Sequence, residues 1–76
     1  MDGAGSEFLT ARQEAIVKVM RDWMDDYGYP PTVREIAAAV GLSSPSSVVH
    51  HLRAMERKGV LSHRPGHSRT YQLHLL

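Results

Sequence analysis

Between Ser44 and Arg57 the chain carries hydroxyl, imidazole and guanidinium groups in close succession: Ser44, Ser46, Ser47, His50, His51, Arg53 and Arg57. Hydroxyls and imidazoles donate and accept hydrogen bonds, and the guanidinium fork matches guanine edges and phosphates. Nucleophilic catalysis would need an activated serine or cysteine with an orienting partner. The sequence has no cysteine and no strand–serine–helix elbow, and helix capping accounts for the serines beside Pro45. No enzyme is expected. His63 and His67 have a spacing seen in zinc sites, yet they flank a predicted turn and lack thiolate or carboxylate partners. No metal site, cofactor or small-molecule substrate is expected.

These groups need a scaffold, and the start and stop signals supply one. Thr10 with Gln13 forms a capping box ahead of a helix whose apolar stripe is Ile16, Met20, Trp23, Met24 and Tyr27, stopped by Gly28. Asp25 and Asp26 stand at its C-terminal end, the less favourable end for acids. Tyr29-Pro30-Pro31 forces extended backbone. Thr32 with Glu35 opens a second, short helix with Ile36, Ala37 and Val40 inward, stopped by Gly41 and followed by Leu42. Ser44 as N-cap and Pro45 at the first helical position start a third helix over about 45–58, with Val48, Leu52 and Met55 as its apolar stripe. Beyond Gly59 the runs 60–64 and 69–73 read as strands of a hairpin, joined by a loop of about four residues over 65–68. Trp23, Tyr27, Tyr29 and Tyr71 are expected in the core and in packing of the first helix on that hairpin.

At 76 residues the chain is one small domain with a thin core. Residues 1–8 are expected to be a disordered N-terminal segment or a remnant of gene cloning, since Gly5-Ser6-Glu7-Phe8 reads as a junction of two cloning sites; the folded domain is placed at 9–76. No apolar run approaches the ~20 residues of a membrane span, and no export signal is visible. The expected location is cytoplasmic. The net charge of +1 conceals an asymmetry: residues 1–33 hold three basic side chains against six acidic, and 34–76 hold six basic against two acidic. Such a split points toward a polyanion partner.

The predicted fold is mainly α (α+β): a three-helix winged helix-turn-helix with a C-terminal two-stranded hairpin. In a helix-turn-helix the last helix enters the DNA major groove. The outer face of the third helix suits that role. Ser44, Ser46, Ser47, Val49, His50 and Arg53 are the expected base-reading residues, with Val49 able to meet a thymine methyl. Arg34, Arg57, Lys58, Arg64, His67 and Arg69 are expected to hold phosphates. His51 is expected at the core margin, and His63 and His67 near phosphates, so that binding tightens as pH falls. The competing reading is a winged-helix protein–protein interaction module without intrinsic DNA specificity. Acids or large aromatics on the exposed helix face would favour it, and the serines, histidine and arginines found there favour DNA.

Several blocks also carry a resemblance. Leu9-Thr10-Ala11-Arg12-Gln13, the run from Gly28 to Ala37, Gly41-Leu42-Ser43-Ser44-Pro45 and the run from His51 to Val60 resemble the N-terminal domain of LexA-type repressors, over about residues 9–73. The resemblance implies a transcriptional repressor of the DNA-damage (SOS) response that binds palindromic operators, associated with the bacterial nucleoid and able to form a homodimer on DNA. It places Ser44, Ser46, Ser47, Val49 and His50 at base-reading positions. Repressors of this type continue through a hinge into a domain with a self-cleavage site, a serine–lysine dyad and dimer contacts, whereas this sequence stops at Leu76. Val49 and His50 stand at positions that vary in the family, so the operator sequence does not follow from the resemblance.

Overall fold

The computed structural model describes residues 8–64, 66 and 71–74. Helix α1 (Ala11–Tyr27) begins where the sequence places it. The Gln13 N–H donates to Thr10 Oγ1 at 3.1 Å and the Thr10 N–H donates to Gln13 Oε1 at 3.2 Å. Helix α2 (Val33–Val40) repeats the device with Thr32 and Glu35. Helix α3 (Pro45–Arg57) starts with the Ser46 N–H donating to Ser44 Oγ at 3.2 Å. These contacts satisfy N–H groups that the first helical turn cannot pair internally.

The stops are equally local. Gly28 and Gly41 lie at φ 79° and 76°, a region that costs an L side chain energy. After Gly41 the Leu42 N–H donates to the Ala37 carbonyl at 2.9 Å, which turns the chain sharply and brings α3 across α2. The Arg12 guanidinium reaches from α1 to the Val40 carbonyl at 2.8 Å and so caps the C-terminus of α2.

One apolar core gathers Ile16 and Met20 of α1, Ile36 and Ala37 of α2, and Val48, Leu52 and Met55 of α3, closed by Val60 and Leu61. Strands β1 (Leu61–Ser62) and β2 (Gln72–Leu73) pair antiparallel, with Leu61 opposite Leu73 and Ser62 opposite Gln72. A four-residue loop at 65–68 would have set Leu61 against Gln72, so the register differs by one residue from that expectation. The physical reason is facial: directly opposed residues share a face, and this register puts two leucines against the core. Among the described residues the paired strands are two residues each, shorter than the five-residue runs of the sequence pattern.

The aromatic expectation needs a larger correction. Tyr27 and Tyr29 are exposed rather than buried, and Trp23, Tyr27 and Tyr29 form a ladder of rings at 4.7 and 5.8 Å spacing along the end of α1. Helix α1 is longer than the core it covers, so the stripe continues past its last partner. Tyr71, in contrast, is half-buried and packs against the core. Among the described residues no helix is long and apolar enough to cross a membrane.

Candidate nucleic-acid interface

Val48, Leu52 and Met55 are fully buried, which fixes the rotation of α3 and turns its other side outward. On that side Pro45, Ser46, Val49, His50, Arg53 and Arg57 line one shallow groove of about 540 Å³. The structure therefore brings together most of the residues expected to read bases. Ser46, His50, Arg53 and Arg57 are exposed, and Val49 is half-buried among them. Ser47 is exposed beside the groove, whereas Ser44 is half-buried and its hydroxyl serves the helix start. The first turn of α3 holds no acid, so the positive end of the helix dipole is uncompensated there.

The expected phosphate contacts divide. Arg34 is exposed on the first turn of α2, Arg57 on the last turn of α3 and Arg64 just beyond β1. Lys58 is turned elsewhere. Its ammonium donates to the Phe8 carbonyl at 2.6 Å and to Gln13 Oε1 at 3.2 Å, and lies 5.6 Å from the Phe8 ring centre. That contact joins the end of α3 to the start of α1, so Lys58 is a tie between helices. His67 and Arg69 lie outside the described residues.

The histidines occupy distinct settings. His51 is half-buried, its Nδ1 3.5 Å from Gln13 Nε2. Burial, then the neighbouring His50 and Arg12 charges, hold its imidazole below the usual histidine range. This matches the expected place at the core margin. His63 is half-buried and donates from Nδ1 to Glu56 Oε2 at 2.6 Å, and its ring stacks on Tyr71 at 4.5 Å. A position free to face phosphate is therefore not what the structure gives His63. Burial, reinforced by the Glu56 charge, pushes the Tyr71 phenol up, and Arg53 opposes that shift. Sequence reasoning missed this Glu56–His63–Tyr71 cluster. Its only trace in the sequence was an acid near the basic end of α3.

A tri-helical core, a tight turn between α2 and α3, and a following hairpin define a winged helix-turn-helix DNA-binding domain. The LexA DNA binding domain family matches residues 6–70, and the chain belongs to that family. It is 51% identical over 70 residues to the LexA repressor of Streptomyces coelicolor, which covers 92% of this chain and 30% of that protein. It is 54% identical over 61 residues to the LexA repressor of Mycobacterium ulcerans, with 80% of this chain and 25% of that protein covered. LexA repressor 2 of Nocardia farcinica is 52% identical over 61 residues. The chain spans less than a third of the length of these relatives.

Proposed function

We propose that this domain represses transcription by reading an operator half-site in double-stranded DNA. The observation that carries the reading is the groove on α3, where Ser46, Val49, His50, Arg53 and Arg57 converge over a rigid apolar base. Helix α3 lies in the major groove; Ser46, Ser47, Val49, His50 and Arg53 select bases, with Ser44 fixing the helix start beside them. Arg34, Arg57 and Arg64, together with His67 and Arg69 of the wing, hold phosphates. With the four arginines among them supplying the charge, log affinity falls with log salt at a slope near −3 to −4.

One half-site offers few base pairs, so the operator is a palindrome read by two copies that pair on DNA. The place of action is the cytoplasm, on the nucleoid, and binding alone performs the function without catalysis. The exposed rings of Tyr27 and Tyr29, stacked beside Trp23, lie at the end of α1 rather than on α3, which leaves protein docking through α3 without support.

Selection of bound duplexes from a random pool tests the proposal. The expected result is a palindrome with fixed half-site spacing. His50→Ala should then relax preference at one base pair, whereas Arg64→Ala should weaken every duplex alike. Retention of no duplex above background, or of all duplexes equally, would overturn the reading.

A further inference from the structure

Glu56 and His63 belong to different elements, one on the last turn of α3 and the other directly after β1. A carboxylate in that place is doubly unfavourable. It sits at the negative end of the helix dipole, and it borders a surface whose partner is a polyanion. His63 answers both problems through the 2.6 Å contact to Glu56 Oε2, made where both side chains are about three-quarters buried (27% and 25% exposed).

The same imidazole stacks on Tyr71, with ring centres 4.5 Å apart and planes 16° from parallel. His63 and Tyr71 continue the β1–β2 register by one more pair, beyond Leu61 with Leu73 and Ser62 with Gln72. The stack therefore joins the two strands where the wing leaves the core, and Glu56 fastens that point to α3. Arg53 stands one turn before Glu56 on α3, near enough for its charge to act on the Tyr71 phenol. Arg64 is the residue after His63.

From this placement we propose that Glu56, His63 and Tyr71 form a clasp that sets the position of the wing relative to α3. A base contact by Arg53 and a phosphate contact by Arg64 are then made in one fixed geometry. His63 and Glu56 are positioning residues: they touch no DNA and act through Arg64 and the wing beyond it. The inference rests on the duplex-binding reading above, and its test separates the two.

The test is a double-mutant cycle on the selected duplex, with His63→Ala, Arg64→Ala and both together, each corrected for folded fraction by thermal melting. Arg64→Ala alone weakens binding about three- to tenfold, and His63→Ala weakens it by a similar factor. Each flattens the salt slope by about one. The double variant binds no more weakly than the poorer single variant, because a displaced wing has already lost the Arg64 contact. Glu56→Gln preserves the side-chain shape and gives a smaller loss; it replaces His63→Ala in the cycle if that variant does not fold.

A role in stability alone would lower the melting temperature while leaving the salt slope and the Arg64 effect intact. Losses that multiply in the double variant, or an unchanged slope in His63→Ala, overturn the clasp while leaving duplex binding in place. Arg64→Ala without effect removes the wing contact and the clasp's function with it. Absence of any selected duplex overturns the underlying reading itself.

Discussion

Helices α1 and α3 each carry a regular apolar stripe, and they use it differently. In α3 the stripe matches the length of the core: Val48, Leu52 and Met55 are each 0% exposed. The opposite side is then free to hold hydroxyls, an imidazole and guanidiniums. In α1 the stripe outruns the core. Ile16 is 0% exposed, yet Met24 is 41% and Tyr27 55% exposed. Around that exposed end stand Asp22, Asp25 and Asp26, while α3 holds Arg53 and Arg57. Periodicity thus reports which face a helix offers, and only the neighbouring elements decide how far along that face is covered. On the proposed reading one helix becomes a platform for a polyanion, while the other ends in a surface of acidic and aromatic side chains.

Five substitutions probe that contrast. Leu52→Ala should destabilise the domain by about 2–5 kcal/mol, since it empties a fully buried site, while Met24→Ala should cost less than about 1 kcal/mol. Urea unfolding of both variants checks this, and equal losses would mean that the exposed end of α1 is packed after all. The next effect in size concerns affinity. Arg53→Ala should weaken the selected duplex by about 1–3 kcal/mol and relax preference at one base pair, whereas Asp25→Asn should leave preference unchanged. Anisotropy titrations on selected and random duplexes distinguish the two. The smallest effect is a pH dependence. Burial keeps His51 from protonating as readily as it does in the unfolded chain. Stability from this residue is therefore complete above the ordinary value of 6.5 and is lost as pH falls below it. His51→Gln should reduce the difference between urea midpoints at pH 7.5 and 5.5.

What could be read from the sequence was local. Thr10, Thr32 and Ser44 announce helix starts because their partners are two or three residues away, and Gly28 and Gly41 announce stops for the same reason. The outer face of α3 followed from Val48, Leu52 and Met55, so most of the lining of the candidate groove was legible too. The remainder depends on contacts between distant residues. Lys58 reaches Phe8 across 50 positions of sequence, and nothing in its neighbourhood marks it as a tie instead of a phosphate ligand. The strand register was misjudged because a serine- and glycine-containing loop fits several lengths, and facial matching of Leu61 with Leu73 decides among them. Trp23 shows the same limit. Its position in the stripe was clear, but its buried Nε1–H finds no partner among the described residues, and spacing could not have disclosed that.

The self-contained caps bear on how quickly the molecule assembles. Each helix can begin and end within its own stretch of chain, before any tertiary contact is made. The entropic cost of closing long loops then falls chiefly on docking three ready segments and on the last strand pairing. For a chain organised in this way the expected folding time is the microsecond-to-millisecond scale typical of helical domains, which stopped-flow or temperature-jump relaxation would check. The hairpin, whose register depends on leucines meeting the finished core, is the natural last step.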